Sequence, residues 1–186
     1  MLHAPNIDWH DAPLRAQFEA LIGRPVTLEN DANAAGWGEY RFGAGRGSTD
    51  MVMVTLGTGV GGAVITDGHL LIGANGSAAE LGHLGFVRGG RPCGCGQNGC
   101  LEQYASGRAL QRELSDIADA GGVGARVAAR RNAAGIVPGA DLALLLDEGD
   151  EGALEAVRRV ATALGEACGA FQAVLCLLYT SDAADE

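Results

Sequence analysis

No run of apolar residues in this sequence reaches the length of a membrane span, so a transmembrane helix is excluded on length alone. The opening stretch MLHAPNIDWHDAP has no basic region followed by an apolar segment, so no secretory signal is visible. Basic residues are scarce, 13 against 23 acidic ones, for a net charge of −10. That balance argues against nonspecific nucleic-acid binding and against an anionic membrane surface. It leaves open a small anionic substrate held at a local site. Cysteines number five, with three of them crowded together, which is not the spacing of a secreted disulfide framework. The cytosol is the expected compartment, and there clustered thiols more often bind metal. No internal repeat is present.

The composition is that of a globular protein. Hydrophobic residues make up 47 % and charged residues 19 %, with 30 glycines in 186 residues, enough for a medium domain with a sizeable core. DAPLRAQFEALIG predicts a helix with Asp11 as cap, Pro13 in the first turn, a face of Leu14, Phe18, Leu21 and Ile22, and Gly23 as stop. Pro25–Glu29 reads as a short strand, and an Ala-rich helix begins near Asp31. Antiparallel strands are expected over Met51–Leu56, Ala63–Thr66 and His69–Ile72, the last two joined by an Asp67-Gly68 hairpin turn. A loop region follows from Gly73 to Leu101. Ser106 caps the next helix, and shorter helices lead to a long one starting at Glu151, with Leu154, Val157, Ala161, Leu164 and Cys168 on one face.

RPCGCGQNGCLEQ places Cys93, Cys95 and Cys100 within eight residues. A disulfide between Cys93 and Cys95 would close a strained ring. Three thiolates and one imidazole around Zn²⁺ are chemically easier. His83 is the nearest imidazole, and Gly94, Gly96 and Gly99 let the backbone turn tightly. The spacing is not that of a zinc finger and carries no implication of DNA binding.

Glu80 lies three residues before His83, and Glu102 two after the last cysteine. Each reads either as a solvated loop charge or as an acceptor for a polyhydroxylated ligand, since buried charge-assisted hydrogen bonds contribute about 1.5–3 kcal/mol each. Asp31, in ENDANAA, reads as a helix cap or as a general base. LGTGVGG is followed by the strand-like AVIT rather than by a helix, so a dinucleotide fold is excluded; no GK[ST] follows, which excludes a P-loop. The same glycine turn reads as a plain hairpin or as a set of N–H groups aimed at phosphate.

These motifs, in this order, resemble those of the ROK family of sugar kinases and sugar-responsive repressors (repressor, open reading frame, kinase). ELGH precedes CGCGQNGCLEQYASGRAL, with NDANAAGWGEYRFGAGRG and TLGTGVGG upstream. The resemblance runs from about Asn6 to about Val174 and is strongest toward the family's glucokinase branch. It implies an α/β, ribonuclease-H-like and actin-like ATPase fold, truncated at both ends. Residues 1–28 would end a small N-terminal domain, residues 29–174 would form most of a larger one, and residues 175–186 would be a non-native tail.

The resemblance further implies structural Zn²⁺ on His83, Cys93, Cys95 and Cys100, with the histidine's other nitrogen turned to the sugar. Asn30, Glu80, His83 and Glu102 would bind sugar hydroxyls, and Asp31 would be the base. Gly57, Thr58 and Gly59 would face the phosphates of ATP with Mg²⁺. The implied reaction is phosphorylation of the 6-hydroxyl of glucose by a dimer or tetramer. A repressor with an upstream helix-turn-helix, or a kinase for fructose, mannose or an N-acetylated aminosugar, stays open, as does polyphosphate as donor. The family's early DxGGT-type turn and late adenosine segment do not occur here, so this polypeptide alone is expected to have little kinase activity. Ala79 stands where many relatives carry glycine.

Overall fold

The computed structural model describes His3–Ala4, Trp9–His10 and residues 12–177. The predicted cap Asp11 and residues 178–186 of the predicted tail lie outside the described residues. Strands β1 (His3–Ala4) and β2 (Trp9–His10) pair antiparallel ahead of helix α1 (Leu14–Ile22). Gly23 ends α1 at φ 66°, its N–H donating to the Glu19 carbonyl, a left-handed position where glycine is least strained. The predicted apolar face of α1 is not a buried face. Leu14 is covered, but Phe18, Leu21 and Ile22 are exposed, because no described element packs closely along that side. Pro25–Glu29 is not a strand: no described strand lies beside it to form a ladder.

The main sheet is a meander of β3 (Met51–Leu56), β4 (Val60–Thr66) and β5 (His69–Leu70), with Met51 opposite Ile65 and Leu56 opposite Val60. β4 begins at Val60 rather than Ala63, because Gly61 and Gly62 belong to the strand. A Cβ on Gly61 would lie 3.1 Å from the Ala32 Cβ, and one on Gly62 would lie 2.5 Å from Leu81. Leu81, down to its Cβ, leaves no room for a side chain at Gly62, and a Cβ on Gly61 would also meet Thr55 Oγ1 at 2.6 Å. β5 stops at Leu70 rather than Ile72. At the turn before it, Asp67 and Gly68 both have positive φ, 48° and 74°, as the twist of a two-residue hairpin requires.

Alternation along the strands sorts what each side packs against. Gly36 of helix α2 (Asp31–Phe42) sits against Ala63 and near Met53 on one side. Val52, Val54 and Val60 face the other side, where Leu101, Ala167 and Phe171 complete a core. That side is covered by helix α6 (Glu151–Leu175) and by two 3₁₀ turns, Leu81–His83 and Leu101–Gln103. A second core joins α3 (Gly107–Ala120), α4 (Ala125–Ala129), α5 (Gly139–Asp147) and the first half of α6 around Leu114, Val127, Leu145 and Ala153. Ser106 caps α3 by accepting from the Ala109 N–H, and Asp150 caps α6 by accepting from the Ala153 N–H.

The buried face of α6 is offset from the predicted one. Ala153, Ala156, Ala163, Ala167 and Phe171 are buried, whereas Leu154 is 48 % exposed and Ala161 is also exposed. Val157, Leu164 and Cys168 are half-buried. An alanine stripe lets the helix axis come closer to its neighbours than a leucine stripe would.

Candidate functional site

Four separate stretches of chain converge on a cleft of about 380 Å³. They are the start of α2, the β3–β4 turn and the two residues Glu80 and Glu102 from the 3₁₀ turns. The cleft therefore holds Asn30, Asp31, Gly57, Thr58, Gly59, Glu80 and Glu102 together, a volume in the usual range for a small-molecule site.

At the start of α2 the two adjacent polar residues divide their tasks. Asn30 is the cap: its Oδ1 accepts from the backbone N–H of Ala32 at 2.8 Å and of Asn33 at 3.1 Å. Asp31 is the first helical residue, and its Oδ1 accepts only from the N–H of Ala32, at 2.9 Å. The helix start is thus satisfied without Asp31, whose carboxylate lines the cleft. Asn30, with its carbonyl engaged, retains two amide hydrogens to donate. The buried Asn33 adds a tie by donating to Glu29 Oε1 at 2.9 Å.

The β3–β4 turn is Gly57–Gly59. Its Gly57 carbonyl accepts from the N–H of Gly107 at 2.8 Å, which docks the start of α3 on the turn. A Cβ on Gly59 would meet Glu102 Oε2 at 2.6 Å. Glycine is needed there for the carboxylate to approach the turn.

Each 3₁₀ turn carries one acid and one metal-ligand candidate. Glu80 precedes the first turn and His83 ends it, with the His83 N–H donating to the Glu80 carbonyl at 2.9 Å. Cys100 precedes the second turn, which contains Glu102. The Leu101 N–H donates to the Leu84 carbonyl at 2.9 Å and holds the turns side by side. His83 does not line the cleft; it faces the sulfurs.

The ligand atoms of His83, Cys93, Cys95 and Cys100 all lie within 4.8 Å of one another. His83 Nδ1 is 3.6 Å from Cys93 Sγ, and Cys95 Sγ is 3.6 Å from Cys100 Sγ. A tetrahedron with zinc–sulfur and zinc–nitrogen bonds of about 2.3 and 2.0 Å has edges of about 3.5–3.8 Å, so the set fits Zn²⁺. The sulfurs are too far apart for a disulfide, whose S–S bond is about 2.05 Å. Burial first, then the two neighbouring sulfurs, push the Cys100 thiol up to about 12. A bound cation reverses that preference, so metal uptake expels protons. Gly96 and Gly99 turn the loop at φ 90° and 80°; Gly94 does not have positive φ.

Thr55 and Ala78 also line the cleft and are absent from the predicted set. Thr55 is the polar residue in an otherwise apolar strand, MVMVTL, the one local signal that marks it.

Ala79, next to Glu80, has φ 61°. The left-handed region costs a residue with a Cβ about 1–2 kcal/mol, while glycine's extra freedom in the unfolded chain costs about 0.5–1 kcal/mol. Ala79→Gly is therefore expected to stabilise the protein by about 0.5–1 kcal/mol, read as a higher urea midpoint with an unchanged slope. A lower midpoint contradicts the strain.

Among relatives, this chain is 55 % identical over 117 residues to a glucokinase of Streptomyces coelicolor, covering 63 % of the chain and 37 % of that protein. It is 38 % identical over 114 residues to a xylose repressor of Bacillus subtilis, covering 61 % of the chain and 30 % of that protein. Its structure is similar to a ROK family glucokinase from Streptomyces griseus in complex with glucose and AMPPNP, at TM-score 0.81 and 43 % identity. That likeness covers 94 % of this chain and 56 % of the other. The chain thus spans about a third to a half of the length of these relatives. The fold is of the mixed α/β, ribonuclease-H-like and actin-like type. The ROK family model matches residues 1–176, and on that match the chain belongs to the ROK family.

Proposed function

We propose that this chain carries the sugar-binding and base-bearing part of an ATP-dependent hexose kinase that phosphorylates the 6-hydroxyl of glucose. One observation carries the reading: a capping Asn30 leaves Asp31 free in a cleft that also contains Glu80, Glu102 and the glycine turn. The similarity to glucokinases supports it.

In this reading Glu80, Glu102 and the Asn30 amide hold sugar hydroxyls. His83, which lies beside the cleft rather than on its lining, would reach the sugar only through its Nε2, since its Nδ1 faces the metal cluster, which fixes the ring's orientation. Asp31 accepts the 6-hydroxyl proton as the new oxygen–phosphorus bond forms to the γ-phosphorus. The bond from that phosphorus to the β-phosphate oxygen breaks, and its electron pair leaves with ADP. The N–H groups and hydroxyl of the Gly57–Gly59 turn face the phosphates. Mg²⁺, when bound, neutralises phosphate charge. Zn²⁺, held by His83 and the three cysteines, braces the two acid-bearing turns and takes no part in the chemistry. Because the chain spans about a third to a half of the length of these relatives, the full-length protein is the object to test. Cytoplasmic location and a dimer or tetramer belong to the same proposal.

Similarity to the xylose repressor supports a second reading, a sugar sensor. Coupled NADPH formation from glucose and MgATP by the full-length protein separates the two. Saturable glucose 6-phosphate production is expected. Sugar binding without turnover supports the sensor.

A further inference from the structure

Glu113, on α3, is only 9 % exposed and lies outside the cleft. Its Oε1 accepts from Arg91 Nη2 at 2.9 Å, and its Oε2 from Arg159 Nη1 at 3.0 Å. Burial disfavours its charge, but the hydrogen bonds from Arg159 and Arg91 outweigh burial and hold the carboxyl below the usual range.

Both arginines lead elsewhere. Arg91 lies two residues before Cys93, at the start of the metal loop. Its Nη1 donates to the Gln103 carbonyl at 3.2 Å, and its backbone N–H donates to Tyr104 Oη at 2.8 Å. Its guanidinium also lies over the Tyr104 ring, 5.2 Å from the centroid. Arg112 Nη2 donates to the same Gln103 carbonyl at 2.7 Å. Gln103 Nε2 in turn donates to Glu102 Oε1 at 3.2 Å. Arg159 sits on α6, where Glu155 Oε1 accepts from its Nε at 2.8 Å. A continuous set of hydrogen bonds therefore runs from α6 through Glu113 to the metal loop and on to the cleft carboxylate.

We propose that Glu113 is a positioning residue: through Arg91 it clamps the metal loop and the Glu102 turn onto α3, and through Arg159 it couples both to α6. A buried ion pair adds little net stability on its own, because desolvation offsets the attraction. Its effect here is to fix geometry. Removing the charge leaves Arg91 Nη2 only the longer ion pair to Asp116, at 3.7 Å, and frees the loop to open.

The test is zinc transfer from the zinc-loaded protein to a chromophoric chelator, with thermal unfolding measured beside it. Glu113→Gln is expected to release zinc about tenfold faster, the scale seen when the supports behind metal ligands are lost. Arg159→Gln, whose side chain is 46 % exposed and pairs with Glu113 and Glu155, is expected to shift release the same way by less. Release at the wild-type rate in Glu113→Gln overturns the clamp, whatever the fall in melting temperature. Arg159→Gln serves alone if the first variant does not fold, and a wild-type rate there overturns the coupling to α6. Wild-type protein that takes up no zinc overturns the proposal outright. A second arm rests on the kinase reading: glucose KM should rise more than kcat falls in Glu113→Gln. If the wild-type protein does not phosphorylate glucose, the kinase reading fails while the zinc result still decides the clamp.

Discussion

Asp31→Asn in the full-length protein is expected to lower kcat by about 10²–10⁴-fold, the usual contribution of a positioned general base, or about 3–5 kcal/mol in the barrier. Glucose affinity should change by less than about threefold, since asparagine keeps the shape and a carbonyl acceptor. The structure makes this variant clean. Loss of a helix cap would cost about 1 kcal/mol and blur the result, but the cap is Asn30, whose Oδ1 serves both Ala32 and Asn33. The Ala32 N–H keeps that partner when Asp31 is changed. Turnover and stability should therefore separate, with turnover collapsing and the melting temperature holding. Near-normal turnover defeats the base assignment. An equal loss of turnover and glucose binding points instead to Asp31 as a sugar ligand.

Cys100→Ser is expected to abolish zinc retention and to weaken sugar binding with it. Elemental analysis should give about one zinc per wild-type chain and almost none in the variant, since three ligands in an open loop no longer close a structural site. Cys100 is fully buried, and its neighbour Leu101 is part of the core against the sheet. Loss of metal should therefore loosen both 3₁₀ turns, and with them Glu80 and Glu102. Glucose affinity should fall at least about tenfold. The second core, around Leu114, Val127 and Leu145, is built from helices away from the cysteines. Helical circular dichroism should then largely persist, which separates this outcome from global unfolding. A zinc-free protein that binds glucose as well as the wild type would show that the cluster does not brace the site.

Much of the site was legible because its chemistry is local in sequence. The histidine and three cysteines fall within eighteen residues, and few other arrangements suit so many crowded thiols beside an imidazole. The Ser106 cap was legible for the same reason, since it bonds to an N–H group three residues on; the Asp150 cap of α6 came only with the structure. The Asp67-Gly68 hairpin and the Gly23 stop followed from backbone sterics alone. What could not be read depended on neighbours far along the chain. Nothing in PVTLE shows that it lacks a partner strand. Hydrophobicity favoured Leu154 on α6, which is exposed, while close approach to the rest of the fold selected the alanines and left Leu164 half-buried beside them. The link from Arg91 to Glu113 and Arg159 joins positions 22 and 46 residues apart, with no pattern to announce it.

By itself, then, the amino-acid order determined which chemical groups are present and which short turns they occupy, since those depend on donors, acceptors and backbone freedom within a few residues. Tertiary structure decided the allocation. It made Asn30 the cap and left Asp31 in the cleft, sent Glu80 and His83 from one turn to different sites, and buried Glu113 between two arginines. Such choices depend on closing long loops and on which surfaces exclude water together, and those energies exist only once distant segments have met.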